Sequence, residues 1–191
     1  MSAALGSNDG NINIGAAGTA MRFLTAYYAS QPGRTVTLDG CERMRQRPIG
    51  ALVDTLRRLG AEIEYVGAEG YPPLKISGKR LAGGEISIDS TLSSQFVSAV
   101  LMVAPTMSRP LTLKLTGDTV SMPYIKMTVA MMRDRGITVE MERDGISVAP
   151  GDYGRPAAGI ERDWSAAAFW YEIAALTAGW VTLKGMTENS V

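Results

Sequence analysis

The chain repeats itself. Asn11 to Met21 reads as a short alternating strand, a small-residue turn and a helix start, and Glu85 to Phe96 follows the same plan. Each is followed by an apolar helix, a strand ending in glycine (Gly40, Gly117), a loop, a proline-marked helix (Pro48, Pro123) and a further glycine (Gly60, Gly136). The paired positions are offset by 74 to 77 residues. A third pass begins at Gly159 to Asp163, with a helix predicted over 165–178 and a strand over 180–185, and stops at Val191. Repetition at a fixed period means stacked structural units that bury a continuous core only together. A chain ending inside a unit predicts a piece of something longer, in which a site shared with the remainder is present only in half.

With 46% apolar residues over 191 positions, an ordinary core can be buried, most simply as one domain. Nineteen basic residues balance nineteen acidic ones, so no global field recruits nucleic acid or an anionic membrane, and any anion site must come from local clusters. A single cysteine, Cys41, rules out an internal disulfide framework and fits a reducing compartment. The first ten residues lack the basic and apolar regions of a signal peptide. The stretch from Ala166 to Val181 is interrupted by Glu172 and is short for a membrane span. A soluble cytoplasmic protein is expected. There is no histidine, so the usual neutral-pH proton shuttle and commonest metal ligand are missing; chemistry in this chain alone would fall to carboxylates, lysine or arginine.

The pattern predicts helices over 19–30, 48–59, 93–104 and 122–135. Strands are predicted over 34–39, 61–66, 73–77, 85–89, 111–116, 137–142 and 145–149, with a connector over 150–160. Thr35-Val-Thr-Leu-Asp39 and Thr112-Leu-Lys-Leu-Thr116 alternate, as half-exposed strands do, whereas the 93–104 helix is apolar almost all round and reads as buried on every side. The expected fold class is therefore α/β (α+β) and inside-out: repeated units with helices central and sheets facing water. That is the reverse of a doubly wound dinucleotide fold, whose GxGxxG turn is also absent.

Three local features suit an anion. Gly15-Ala-Ala-Gly18-Thr19 runs small residues into a helix start, where a ligand can approach free backbone N–H groups; tight packing with an ordinary Thr19 cap is the alternative. Ser93-Ser94-Gln95 holds the equivalent place in the second copy and offers two hydroxyls and an amide, more than a capping serine alone requires. Arg43-Met-Arg45-Gln-Arg47-Pro48, read as an extended loop, puts three guanidinium groups on one side, with Pro48 suited to the first helical position; the alternative is a solvated basic loop. The corresponding second-copy loop, Asp118-Thr-Val-Ser121-Met-Pro123-Tyr124, replaces the arginines with a hydroxyl and an aromatic ring. Met127, Met131 and Met132 read as core filler, and Arg57 and Arg58 as cations suited to a helix end.

Taken together, Ala17-Gly-Thr-Ala-Met-Arg22, Arg43-Met-x-x-Arg-Pro-Ile-Gly50, Tyr71-Pro-Pro-Leu74, Ser93-Ser-Gln-Phe96 and Ser121-x-Pro-Tyr-Ile125 resemble the 5-enolpyruvylshikimate-3-phosphate synthases. The transferases acting on UDP-N-acetylglucosamine are the nearest rival, and a non-catalytic phosphate-binding module is the alternative from another class. The resemblance implies an inside-out α/β barrel of repeated βαβαββ units, three to each of two domains. It implies transfer of the enolpyruvyl group of phosphoenolpyruvate to the 5-hydroxyl of shikimate 3-phosphate, with release of phosphate and no metal or organic cofactor. Gly18, Arg47 and Gln95 would then contact phosphoenolpyruvate, and Ser93, Ser94, Gln95, Ser121 and Tyr124 would contact 3-phosphoshikimate. Residues 1–152 would be the substrate-binding domain, and 153–191 a connector and the start of a second, truncated domain. The remainder of the parent enzyme would be the partner, with no nucleic acid and no membrane. No residue of this chain is assigned a catalytic role, and the 191 residues alone are expected to be inactive. Ala16 and Phe23 stand where the family usually has asparagine and proline, which would alter the pocket.

Overall fold

A computed structural model describes residues 5, 9–89, 91, 93–117, 121–142, 145–155 and 162–186. Backbone contacts divide the chain into Met1–Gly154 and Arg155–Val191.

The first unit holds two four-stranded sheets of one topology. In chain order its elements are β1 (Asn11–Asn13), α1 (Gly18–Ala29), β2 (Thr35–Asp39), α2 (Glu42–Arg45), α3 (Gly50–Arg58), β3 (Glu62–Tyr65), β4 (Leu74–Ser77), β5 (Gly84–Asp89), α4 (Ser94–Val103), β6 (Leu111–Thr116), α5 (Met122–Asp134), β7 (Val139–Met141) and β8 (Gly145–Val148). The sheets run β1-β2-β4-β3 and β5-β6-β8-β7. In each, the first two strands pair in parallel and the other pairings are antiparallel. Register places Ile12 beside Leu38 and Leu38 beside Leu74; the second sheet does the same with Ile86, Leu113 and Ile146. All six side chains are buried, while the residues between them reach solvent. Each sheet thus turns one face to the core and the other to water, as the alternation predicts.

The core lies between the sheets and is helical. Helix α4 packs against α1 on one side and α5 on another, and α3 adds contacts to both α1 and α4. Its residues Phe96, Val97, Ala99, Val100, Leu101 and Val103 are all buried. No exposed polar stripe is possible on a helix surrounded in this way, so its sequence is apolar all round.

The repeat extends to the helix ends. Gly60 and Gly136 adopt φ of 97° and 83°. After α3, the Gly60 N–H bonds the Arg57 carbonyl (2.9 Å) and the Ala61 N–H bonds the Leu56 carbonyl (2.9 Å). After α5, Gly136 bonds Arg133 (2.9 Å) and Ile137 bonds Met132 (3.1 Å). These are paired Schellman closures, in which the left-handed residue satisfies orphan carbonyls of the last turn. The arginine inside each closure reaches forward to the next strand. Arg57 donates Nε and Nη2 to the Ile63 carbonyl (3.0 and 2.7 Å), and Arg133 does so to that of Val139 (2.9 and 2.7 Å). Arg57 thus does more at the helix end than complement a dipole.

Several expectations need correction. Helix α3 begins at Gly50 with Ile49 as its N-cap, so Pro48 precedes the helix instead of opening it. Met132 is buried as expected, but Met131 is half exposed and Met127 lines cavities. In the second unit, α6 spans Trp164–Thr177, one residue earlier at each end than predicted. The strand expected over 180–185 does not form. Its counterparts β2 and β6 are held by strands on both sides; no strand exists among the described residues 162–186 to pair with this segment. Of the connector, Tyr153 donates its hydroxyl to the Met102 carbonyl (2.9 Å), and burial pushes the phenol up to about 12. Residues 156–161, which open the third copy, lie outside the described residues, as do Asp118, Thr119 and Val120. Among the described residues, no helix is long and apolar enough to cross a membrane.

A Cβ added at Gly60 or Gly136 meets nothing within 4 Å, so alanine there suffers only the left-handed backbone. Gly60→Ala and Gly136→Ala should each cost about 1–2 kcal/mol, read as a lower urea midpoint at constant slope.

Candidate functional site

The amino ends of α1, α3, α4 and α5 meet around adjoining cavities. One, of about 580 Å³, takes Thr19 from α1, Ser93, Ser94 and Gln95 at the start of α4, and Ser121 and Tyr124 at the start of α5. A neighbour of about 510 Å³ takes Arg22 from α1, Arg47 and Pro48 from the segment before α3, Gly50 from α3, and again Ser93 and Gln95. A third, of about 460 Å³, lies between Ala16, Arg43, Met44 and Arg47. Converging helix amino ends supply partial positive charge and unpaired N–H groups, each end favouring an anion by about 0.3–1 kcal/mol.

Local chemistry fixes each side chain. Ser93 is the N-cap of α4: its Oγ accepts from the Gln95 N–H at 3.2 Å, so the capping expectation holds. Gln95 reaches across to α1, its Nε2 donating to Thr19 Oγ1 at 3.3 Å; Thr19 is therefore a partner of Gln95 and not a cap. The N-cap of α1 is Ala17, with no side-chain cap bond, so the first N–H groups of that helix are not answered by a capping oxygen. Ser121 is the N-cap of α5, also without a side-chain cap bond. Tyr124 follows on the first turn, 62% exposed, its ring uncommitted to the core. Beneath them, Ser98 of α4 and Thr128 of α5 share a buried hydroxyl bond of 2.8 Å, and Thr128 also bonds the Tyr124 carbonyl at 2.9 Å, which ties the two helix starts together.

The arginine loop differs from its expected form. Glu42 to Arg45 is a helical turn, not an extended loop, and the three guanidinium groups do not share one side: Arg43 and Arg47 line a common cavity and Arg45 leaves it. Arg45 turns back to Asp39, with Nη2 on Oδ2 at 2.5 Å and Nε on Oδ1 at 3.0 Å. That hydrogen bonding holds the Asp39 carboxyl below its usual range, against the opposing effect of partial burial. Arg43 stays on the Ala16 side. Arg47 alone reaches Gly18. A Cβ at position 18 would collide with the Arg47 guanidinium and stand 2.7 Å from Arg22 Nη1, so glycine lets both side chains lie where they do and a larger residue would displace their tips.

Arg47, Ser93, Ser94, Gln95, Ser121 and Tyr124 thus line this one group of cavities, and Gly18 lies against Arg47 beside them without lining one. Sequence reasoning missed Arg22, buried to 6% exposure, whose Nη1 donates to the Gly18 carbonyl at 2.9 Å. The signal was its position four residues after Gly18, which sets both on one helix face. Burial, and after it the charge of Arg47, lowers the Arg22 pKa. Phe23 lines the pocket, as its departure from the family pattern implies, while Met127 was missed as lining. They wall the hydroxyl-rich cavity from an apolar one of about 410 Å³ that includes Met102, Met131 and Tyr153.

Against known proteins, the EPSP synthase (3-phosphoshikimate 1-carboxyvinyltransferase) family profile matches residues 3–191. A 3-phosphoshikimate 1-carboxyvinyltransferase of Bacteroides fragilis is 51% identical over 181 residues, covering 94% of this chain and 44% of that protein. One from Pseudoalteromonas atlantica is 42% identical, covering 93% of this chain and 42% of its own length. The solved EPSP synthase of Acinetobacter baumannii superposes with a TM-score of 0.73 at 25% identity, over 89% of this chain and 37% of the other. The chain thus spans under half the length of the curated relatives it matches. Two sheets around a helical core, a site at shared helix starts and a match along nearly the whole sequence agree: the chain belongs to the EPSP synthase, or 3-phosphoshikimate 1-carboxyvinyltransferase, family.

Proposed function

We propose that this chain is the substrate-binding part of an enzyme that moves the enolpyruvyl group of phosphoenolpyruvate onto the 5-hydroxyl of shikimate 3-phosphate, releasing phosphate. The observation that carries the reading is the sharing of Ser93 and Gln95 between a hydroxyl-lined cavity and a guanidinium-lined one. Two different anionic substrates held there would meet at Gln95, as a transfer between them requires.

In this reading Ser93, Ser94 and Ser121 donate to the phosphate of 3-phosphoshikimate, and Tyr124 lies against its ring. Neutral donors at helix starts suit a phosphate that is held and not transferred, because they fix its position without neutralising it. Arg47 takes the phosphate of phosphoenolpyruvate, which leaves as the product forms, and the Gly18 backbone lies beside it. Gln95 contacts both. The substrate hydroxyl adds to C2 of phosphoenolpyruvate as C3 gains a proton; the C2–O bond to phosphate then breaks as C3 loses one. Those proton transfers need an acid–base group, and among the described residues the lining of the two main cavities consists of hydroxyls, an amide, arginines and apolar groups. In this reading the chain binds and does not turn over. Residues 153–191 open the domain expected to supply the missing groups. The free, exposed thiol of Cys41 supports a reducing, cytoplasmic setting.

Ser121 caps nothing, so it separates binding from folding. Ser121→Ala should leave the melting temperature within about a degree while weakening 3-phosphoshikimate roughly tenfold or more in a calorimetric titration. UDP-N-acetylglucosamine should give no heat; binding of it in place of 3-phosphoshikimate would move the assignment to the other transferase. Incubated with both proposed substrates, the chain should release no phosphate above background, and measurable turnover would refute the division of labour described here.

A further inference from the structure

Arg22 stands out against its counterpart in the second copy. It is the fifth residue of α1, and the fifth residue of α4 is Ser98; both are buried and both line the cavities. Ser98 is neutral and satisfied by Thr128. Arg22 brings a full charge to its place. Its Nη1 has the Gly18 carbonyl, its guanidinium lies 5.9 Å from the Phe96 ring centre, and its Nε is buried with no partner. A buried cation is costly unless paired, and an unsatisfied buried donor adds to that cost. The charge beside it is of the same sign, that of Arg47.

We infer that Arg22 and Arg47 together form a two-cation seat that selects a dianionic phosphoryl group over a monoanion of the same shape. The inference rests on the reading of the cavity shared by Arg22 and Arg47 as an anion subsite, and makes Arg22 the residue that sets its charge preference. A monoanion compensates one guanidinium and leaves the other uncompensated in a partly dehydrated site; a dianion answers both. The bonds on offer match this: Arg22 lines the cavity with Nη1 given to the Gly18 carbonyl, and Arg47 is exposed apart from its approach to Gly18. The charged or titratable groups near the seat are Arg22 from α1, Arg43 from α2, Arg47 before α3, and Tyr71 before β4; α3 and α4 add no ionisable group to the lining. With no histidine in the chain, the ligand itself supplies the main ionisation between pH 5 and 7.

The test compares methyl phosphate, whose second ionisation falls at about pH 6, with methyl sulfate, which stays a monoanion. Chemical-shift titration of the isotope-labelled chain should show methyl phosphate binding about tenfold tighter at pH 7 than at pH 5, following its dianionic fraction, and methyl sulfate weak and flat with pH. Arg22→Gln should weaken methyl phosphate about tenfold at pH 7 and flatten its profile; Arg22→Lys, which keeps the charge, should recover much of the slope. Equal binding of both anions by the parent chain at pH 7, or unchanged discrimination in folded Arg22→Gln, overturns the inference. The parent comparison decides even if the glutamine variant does not fold. A parallel titration with 3-phosphoshikimate keeps the two readings apart. Discrimination without 3-phosphoshikimate binding removes only the transferase reading; 3-phosphoshikimate binding without discrimination removes only the role of Arg22; neither binding removes both.

Discussion

Everything in the first unit depends on burying α4 from all sides. A helix without a polar stripe must be enclosed, and the enclosure consists of α1, α5 and α3, with the two sheets beyond them. Enclosure by other helices has a consequence that enclosure by a sheet would not. It aligns neighbouring helix starts closely enough for Gln95, at the beginning of α4, to bond Thr19, at the beginning of α1. The site is the place where these amino ends, already positive and short of acceptors, are gathered by the packing of the core. Binding chemistry is thus a by-product of how the apolar surface is hidden.

The architecture was legible because it is written in periodicities. The alternation of β2 and β6, the apolar sweep of α4 and the glycines closing α3 and α5 each follow from which faces meet water, and repetition supplied a second copy against which to check the first. Where the sequence misled, a long-range partner decided. Nothing in Arg43-Met-Arg45 itself reveals that Asp39, at the end of the preceding strand, will capture the middle arginine and wind the segment into a turn. Nor does the alternating look of residues 180–185 reveal whether a neighbouring strand will be there to pair with it. Propensity describes a residue's preference; pairing describes its company, and the second prevailed in both places.

Arg22 illustrates a different limit. Its spacing from Gly18 was readable, but its importance comes from what is missing around it among the described residues, namely any carboxylate to answer a charge that the core has enclosed. A sequence displays the charges a protein has. It does not display their burial, and burial is what makes a cation demanding instead of merely solvated.

The two copies show how one scaffold acquires two chemistries. Each presents a helix start and a loop leading to a proline, and each closes its later helix in the same way. In the first copy the helix start is glycine, which lets a guanidinium lie against the backbone, and the loop supplies that guanidinium from Arg47. In the second, the helix start and the loop both supply serine hydroxyls. Charge was concentrated in one half and withheld from the other. Two cationic halves would repel each other across Gln95, and two neutral halves would leave the adjoining cavities without a contrast of charge. Asymmetry between repeats, laid on symmetry of the fold, gives each half its own set of donors.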